Sequence, residues 1–495
     1  MRTLETLLLL ANLLAMLVLA VPLHGAMRWL RLAAPAALLV AVAQVVAQGP
    51  RWQLVPAYVL AGLFFVVWLL NFGNAGAPTA RKGLRRFAPA AGIGLGLLGL
   101  VVSIALPLVL PVFRFAPPGG PYAIGTLSFH WVDTGRREIF ATSPQARREL
   151  VVQVWYPAKE GGSAPLAPYL PDAGALASAQ ARLHGLPEFS FGHLRYVTTN
   201  ARVGIPVSDA EPSYPVLLFL EGLTGYRQMN NFQVEHLVSR GYVVVAIDQP
   251  YASAAVVFPD GRQVAGLSKQ QLEPLIQHSL APAAPAPTLD GRSYPDSVIA
   301  YLARDATFVL DQLVAVNRAD PNGILATRLD LQRAGAFGVS LGGIVVGEAC
   351  RLEPRLRACL VMDAPMPFDV VQAGLRQPAM WITRDAATMQ QEGWSLVDID
   401  QHQTSMRSVF EGLPGDGYFV RVRGMFHANL MDIPYFSPLM SWLGVTGPID
   451  AQRAYAIVNV YSEAFFDRHL RGRAASLLDG PASPYPEVLF ESRRP

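Results

Sequence analysis

The stretch GAFGVSLGG at residues 335–343 places Ser340 between Gly338 and Gly342 in the pattern Gly-x-Ser-x-Gly. Such a pattern can hold a nucleophilic serine at a sharp turn between a strand and a helix. The chain has 42 glycines, so the pattern alone is weak evidence. A catalytic serine also needs a base, an acid that orients the base, and amide donors for the oxyanion that forms.

Three histidines follow the serine, and one of them lies where a base is needed. His427, in GMFHAN, comes just after the apolar stretch YFVRVRG, which we predict to be the last strand. His402 lies in the polar stretch DIDQHQTS, and His469 stands between arginines in a helix expected to close the domain. The setting of His469 is typical of a solvated or helix-end histidine. We therefore predict His427 as the base.

Two aspartates are candidates for the acid that orients the base. Asp363 ends the apolar stretch ACLVMD, and Asp385 follows the next one, AMWIT. Either could instead be a polar strand-end residue or a helix cap. The residues alone leave both open.

The oxyanion requires two backbone amides directed at one point. One should come from Leu341, the residue after the serine, because that amide lies at the start of the following helix. The other should come from the loop LEGLTG at residues 220–225, where we choose Leu223.

The elements that must position these residues alternate along the chain. Short apolar strands separated by helices predict a mostly parallel sheet covered on both faces, with the site at the carboxyl ends of the strands. Two further extended stretches, 126–133 and 149–158, precede them. Excursions near residues 160–200 and 259–296 are rich in proline and small residues, and we expect them to form walls or a lid over the serine.

The first 113 residues have a different composition, dominated by leucine, alanine and valine. Each of four apolar runs approaches the roughly 20 residues that a membrane-spanning helix needs. A signal peptide is the alternative for the first run. The few polar residues inside the runs do not form the set of intramembrane charges typical of a transporter. The runs cover approximately residues 5–23, 30–48, 53–71 and 89–112, and their polar residues are Glu5, Asn12, Gln44 and Ser103.

Basic residues are concentrated in two of the loops between these runs, at positions 28–31 and 81–86. The positive-inside rule places both loops in the cytoplasm and both termini outside. We therefore expect a multi-pass protein of the cytoplasmic membrane. A linker at residues 114–125, containing PPGGP, would lead into a domain at 126–495 on the periplasmic or extracytoplasmic side.

The bulk composition excludes several classes of protein. The net charge is +3 and no dense lysine and arginine cluster occurs, which argues against a nucleic-acid partner. The only two cysteines, Cys350 and Cys359, cannot supply a disulfide framework or a multi-cysteine metal site. Two buried thiols are favoured over a single bridge, which would require an oxidising compartment.

Taken together, these segments resemble the platelet-activating factor acetylhydrolase family of the plasma and intracellular type II kind, with its bacterial relatives. The resemblance covers most of residues 126–475, and its motifs occur in the family's order and with similar spacing. They are LVVQVWYPA, YPVLLFLEGLTG, RDATFVLDQL, GVSLGG, MDAP, FHANLMD and AFFDRHL.

The resemblance implies an α/β-hydrolase fold with a catalytic triad of Ser340, Asp363 and His427. It selects Asp363 as the acid, because the acid of this family follows the strand after the serine turn. It also implies that Leu341 and Leu223 carry the oxyanion donors, and that neither a metal nor another cofactor is needed.

The chain departs from the family at Glu221, where members usually have a histidine before the glycine. A carboxylate there could repel the oxyanion or reshape the pocket, but we expect it to point away and bond to the backbone. The four apolar runs are a second departure, since the secreted mammalian members lack them.

These observations predict a membrane-anchored serine esterase acting on carboxylic esters through an acyl-enzyme. The apolar excursions beside a membrane anchor favour lipid-like substrates, such as short or oxidised acyl groups on glycerophospholipids. Its partners would be that substrate and membrane lipids. Two alternatives stay open: an acyltransferase, and a retired hydrolase domain that serves as a membrane receptor or scaffold, for which Glu221 is the one hint.

Overall fold

The computed structural model describes residues 1–20, 25–73, 88–161, 164–480 and 484–494. It divides into two compact units. The first contains Met1–Phe113 and Tyr435–Leu439, and the second contains Arg114–Pro434 and Met440–Pro495.

Apolar helices form the described part of the first unit. Alanines of the helix Ala33–Gln48 are buried, as expected where small side chains let neighbouring helices approach closely. By length and composition, the described stretches Trp29–Gln48, Trp52–Leu70 and Gly92–Val109 could cross a membrane, and Thr3–Leu19 is a shorter apolar helix. The basic positions 81–86 lie outside the described residues. The helices are α1 (Thr3–Ala20), α2 (Ala33–Gln48), α3 (Val55–Gly73) and α4 (Ala88–Val109).

The buried charges of this unit are paired with one another. Arg51 contacts both oxygens of the Glu5 carboxylate at 3.0 and 3.1 Å, and Arg2 contacts one of them at 2.8 Å. Asn12 donates to the carbonyl of Ala57 at 2.9 Å. The pairing of Glu5 with two arginines satisfies a charge that would be costly to bury alone.

Within its described residues, the second unit contains a mixed sheet of 11 strands. The strands of the chain are β1 (Ala123–Arg137), β2 (Arg147–Ala158), β3 (Leu166–Pro168), β4 (Thr198–Val203), β5 (Tyr214–Leu220), β6 (Val243–Asp248), β7 (Ala255–Val257), β8 (Gln263–Ala265), β9 (Thr288–Leu289), β10 (Arg292–Ser293), β11 (Leu329–Val339), β12 (Leu356–Met362), β13 (Ala379–Arg384), β14 (Gly417–Val422) and β15 (Val488–Arg493). Their order in the sheet is β15-β14-β13-β12-β11-β5-β6-β2-β1-β4-β3.

The centre of the sheet is parallel. Strands β6, β5, β11, β12, β13 and β14 pair in parallel, and antiparallel β2 and β15 flank them. The prediction that β14 is the last strand and that a helix closes the domain is wrong. Strand β15 follows, and its side chains are half-buried or exposed, so it lacks the continuous apolar run by which buried strands are recognised.

Helices connect the strands and bury apolar faces against the sheet. Helix α8, for example, buries ten residues spaced along one face, and α8 packs on α9. The helices of this unit are α5 (Ala173–Leu183), α6 (Asn231–Ser239), α7 (Lys269–Leu280), α8 (Val298–Arg318), α9 (Leu341–Leu352), α10 (Phe368–Ala373), α11 (Ala386–Gln391), α12 (Leu396–Gly412) and α13 (Ala451–Arg471).

The two excursions contain small elements of their own. The described part of 160–200 includes β3, α5 and the start of β4, and 259–296 includes β8, α7 and the β9–β10 hairpin. Their role as walls or a lid stays a prediction.

The two cysteines form a disulfide, contrary to the preference for free thiols. The bond joins Cys350, near the end of α9, to Cys359 in β12, with their Cα atoms 6.5 Å apart. The turn between α9 and β12 brings together two residues nine positions apart, and this separation is within the range a disulfide can bridge.

Candidate active site

Ser340 occupies the single residue between β11 and α9. Its backbone has φ 57° and ψ −125°, a conformation that is strained for a residue with a side chain. The two flanking glycines allow this turn. A Cβ on Gly342 would lie 1.9 Å from the carbonyl oxygen of Leu220, and one on Gly338 would lie 2.5 Å from the backbone of Gly342. The Gly-x-Ser-x-Gly pattern is therefore explained by close backbone packing around a partly exposed serine.

The loop after β5 lies directly beside this serine. A Cβ on Gly222 would be 3.2 Å from the Cβ of Ser340. The next residue in that loop is Leu223, whose amide has no acceptor among the described residues. On the other side, Leu341 is the first residue of α9, where amides have no acceptor within the helix. The two amides predicted as oxyanion donors thus come from the two segments that flank Ser340.

Asp363 follows β12 as Ser340 follows β11. The two strands are parallel neighbours in which Val339 pairs with Met362, and the Ser340 amide donates to the Met362 carbonyl at 3.0 Å. Asp363 is buried and also has a positive φ, 49°. The serine and the aspartate therefore emerge side by side at one edge of the sheet.

His427 completes this arrangement from the loop after β14. Its Nδ1 lies 2.5 Å from Oδ2 of Asp363, and its side chain is 28% exposed. A hydrogen bond from Nδ1–H to the carboxylate leaves Nε2 as the acceptor, which is the tautomer a general base needs.

Asp385, the alternative acid, has a different role. It is the N-cap of α11, where its carboxylate accepts the amide of Thr388 at 3.2 Å and also the Thr388 hydroxyl. The structure thus brings His427 to Asp363 and uses Asp385 to begin a helix.

Three further side chains surround Asp363, and of these only His402 was considered from the sequence, as a candidate base. Thr383 donates its hydroxyl to Oδ1 at 2.6 Å, and Nε of Arg384 lies 2.8 Å from Oδ2. Nε2 of His402 lies 3.7 Å from Oδ1. Burial alone would raise the pKa of Asp363, but the charge of Arg384 and the proximity of His402 and His427 outweigh it and hold that pKa well below its usual range. The sequence contained one sign of these neighbours: the arginine Arg384 ends the otherwise apolar stretch AMWITR.

The Glu221 side chain is buried and has the hydroxyl of Ser253 as a partner, and that it points away from Ser340 stays a prediction. Its Oε1 accepts the hydroxyl of Ser253 at 2.5 Å, and its Oε2 is buried without a protein partner. Burial, and then the nearby charge of Asp248, raise the pKa of Glu221 to about 8. A raised pKa favours the uncharged form of Glu221, which would put little negative charge beside the predicted oxyanion donors.

We expect the variant Glu221→Gln to remove the pH dependence that Glu221 gives to stability. Because the pKa of Glu221 is raised in the folded state, its stabilising protonation is complete below about pH 4.5 and is lost as the pH rises through about 8. Glutamine keeps the acceptor for Ser253 and carries no charge. The variant should match wild type at pH 5 and melt about 5 °C higher at pH 9. Thermal unfolding at both pH values checks this, and a difference independent of pH would contradict it.

The remaining histidine of the C-terminal half, His469, was expected to be solvated or at a helix end; it lies in the last turn of α13 but is not solvated. His469 is largely buried on α13, and its Nε2 is 3.1 Å from the hydroxyl of Tyr418. Burial lowers the pKa of His469 to about 4. It is therefore a packing residue that is uncharged at neutral pH.

No metal centre is apparent in the part of the chain that the structure describes, where no three histidine, cysteine or acidic side chains are grouped as metal ligands.

Comparison with known proteins shows that the chain is similar to esterases. The family model for platelet-activating factor acetylhydrolase, isoform II, matches residues 116–273. A probable 1-alkyl-2-acetylglycerophosphocholine esterase of Arthroderma benhamiae is 23% identical over 430 residues, which cover 80% of this chain and 98% of that protein. A platelet-activating factor acetylhydrolase of Gallus gallus is 21% identical over 281 residues, covering 52% of this chain and 62% of that protein.

A solved structure adds the fold. A ferulic acid esterase from Streptomyces cinnamoneus superposes with a TM-score of 0.60 and 28% identity, covering 77% of this chain and 99% of that one. These similarities confirm the resemblance drawn from the sequence motifs. They confirm an α/β fold with a large, mostly parallel sheet, and they support an esterase related to platelet-activating factor acetylhydrolases.

Proposed function

We propose that this relative of the platelet-activating factor acetylhydrolases is a membrane-anchored serine esterase with Ser340, His427 and Asp363 as its triad. The observation that carries the proposal is the 2.5 Å contact between His427 and Asp363 at the strand end beside Ser340. A strained, partly exposed serine at a strand end, next to an aspartate that orients a histidine, fits what nucleophilic catalysis requires.

In the proposed reaction, Nε2 of His427 accepts the hydroxyl proton of Ser340 as Oγ attacks the ester carbonyl carbon. The amides of Leu223 and Leu341 stabilise the oxyanion, and Asp363 stabilises the imidazolium. His427 then protonates the leaving alcohol as the ester bond breaks. A water molecule, deprotonated by the same imidazole, releases the carboxylic acid from the acyl-enzyme and regenerates Ser340.

The proposed substrates are lipid-like esters with a short acyl group. The names of the similar proteins support this choice, since one is called a 1-alkyl-2-acetylglycerophosphocholine esterase and others platelet-activating factor acetylhydrolases. The excursions near 160–200 and 259–296 supply much of the apolar, proline-containing chain available to surround such a substrate.

Hydrolysis by the detergent-solubilised full chain tests the substrate class. We expect kcat/KM to fall at least about tenfold from p-nitrophenyl acetate to the octanoate, with acetate released from 1-alkyl-2-acetylglycerophosphocholine. Adding an alcohol and analysing the products distinguishes a hydrolase, which yields mainly the free acid, from an acyltransferase, which yields a new ester. A folded chain that cleaves none of these esters would contradict the proposal.

We propose further that all four apolar helices span the cytoplasmic membrane and that the esterase unit faces the extracytoplasmic side. The arginine distribution supports this orientation. The Cys350–Cys359 disulfide supports an oxidising compartment. A C-terminal fusion to a reporter active only outside the cytoplasm should be active, whereas activity of a cytoplasm-only reporter would overturn the orientation.

A further inference from the structure

Asp363 has a cationic neighbour that esterase chemistry does not require. Arg384, the last residue of β13, is fully buried, and its Nε lies 2.8 Å from Oδ2, the oxygen that His427 also contacts. In a serine-histidine-aspartate triad, the carboxylate stabilises the imidazolium that forms during the reaction. A second cation on the same oxygen offsets part of the negative charge available for that purpose.

The other end of this arginine leads back to the histidine. Nη1 of Arg384 pairs with one oxygen of Glu392, whose other oxygen accepts the backbone amide of His427 at 3.2 Å. The guanidinium also lies over the ring of Trp394, 4.5 Å from its centroid. Arg384 and Glu392, here called the Arg384–Glu392 pair, therefore connect the Asp363 carboxylate to the main chain of His427.

We propose that the Arg384–Glu392 pair positions the triad and sets the pH range of the esterase, with Arg384 extending its activity toward acid pH. This rests on the proposed function, in which neutral His427 is the base. Arg384 offsets part of the negative charge of Asp363 and so weakens the attraction of the site for a proton. Glu392 weakens this effect of Arg384, because its negative charge balances the positive charge of the guanidinium. Both are positioning residues, since neither is placed to touch the substrate carbonyl.

The charged surroundings of the pair are few enough to test one by one. Within the described chain, the titratable or cationic groups in ion-pair range of Asp363 are Arg384, His402 and His427. Those in range of Arg384 are Asp363 and Glu392. Of these, His402 is the one group outside the proposed network that could also affect the pH profile.

The test is the dependence of kcat/KM on pH for p-nitrophenyl acetate between pH 4.5 and 9, with the product measured after an alkaline quench. The acid limb of the profile is the part in which kcat/KM falls as the pH is lowered. It should move about 1 pH unit upward in Arg384→Met. In Glu392→Gln it should move about 0.5 unit downward. Both variants should lose about tenfold in kcat at the optimum, because the histidine is less firmly held.

Controls separate this role from general destabilisation. Arg407→Met removes an arginine that also pairs with a carboxylate, Glu491, and lies 4.7 Å from the centroid of Phe419. It should leave the acid limb in place, as should His402→Gln. If Arg384→Met does not fold, Arg384→Lys replaces it in the test. Lysine keeps the positive charge but loses the planar, two-pronged guanidinium, so this variant should keep the acid limb at its wild-type position and have a lower kcat.

The outcomes are distinguishable. Wild type without esterase activity would remove the proposed function itself. An active wild type whose acid limb does not move in Arg384→Met, or moves in the same direction in both variants, would overturn the role of the pair alone. A shift in His402→Gln equal to that in Arg384→Met would assign the acid limb to His402 and would also overturn it.

Discussion

The variant Ser340→Ala should lower kcat/KM for p-nitrophenyl acetate by at least about 10⁴-fold, because Ser340 is the proposed nucleophile that forms the acyl-enzyme. The loss should appear in kcat, since the serine hydroxyl is needed for the reaction and contributes little to binding. Folding should be unaffected, because removing one hydroxyl from a partly exposed position creates no buried cavity. Steady-state kinetics and thermal unfolding of the purified chain provide the two measurements.

A matched control is Ser279→Ala on α7, a serine whose hydroxyl donates to the carbonyl of Leu275 within its own helix. Its activity should stay within about threefold of wild type. A Ser340→Ala variant that retains most of the wild-type kcat would show that the esterase uses another nucleophile.

The variant Asp363→Asn should reduce kcat by about 10⁴-fold, and Asp385→Asn should leave it nearly unchanged. Asparagine at position 363 would remove the charge that stabilises the imidazolium and could fix His427 in the wrong tautomer. Asn is as good a helix cap as Asp, so the exchange at position 385 preserves the start of α11. The two variants carry the same chemical change on neighbouring strand ends, which makes them controls for each other.

The pair of variants also has a clear contrary outcome. If Asp385→Asn lost activity and Asp363→Asn kept it, the acid would be Asp385 and the contact between His427 and Asp363 would be structural. The measurement is kcat/KM at the optimum pH of each variant. Using each optimum ensures that a shifted pH profile is not mistaken for a loss of activity.

The sequence was informative wherever a single segment carries its own signal. Apolar strands separated by helices predicted the parallel sheet, and the glycines around Ser340 predicted a tight strand-to-helix turn. His427 could be selected because it alone of the later histidines follows an apolar strand in a loop. These features depend on residues close together in the chain, so their physical basis is visible in a local pattern.

The choice of acid depends on which strands are neighbours. Asp363 and Asp385 both follow apolar strands, so their local sequences are equivalent. In the sheet, β12 lies next to β11 whereas β13 is one strand further from the serine. That order is a property of the tertiary fold, and residue types alone could not resolve it without the family resemblance.

The charged network around Asp363 was missed for a similar reason. Arg384, Glu392 and His402 come from a strand end, a loop and a helix, and the fold brings them to one carboxylate. The disulfide was missed because cysteine count and spacing do not report whether a turn brings two residues within bonding distance. Strand β15 was missed because an edge strand with half-buried side chains has no continuous apolar run.

The most direct test of the central claim is to identify the residue modified by a fluorophosphonate probe, using peptide mass spectrometry on the active full chain. Such probes react with serines activated as nucleophiles. The proposal predicts one adduct per chain, located on Ser340, with activity lost in proportion to labelling. An adduct on a different residue, or complete inactivation without an adduct on Ser340, would contradict the assignment of Ser340 as the nucleophile.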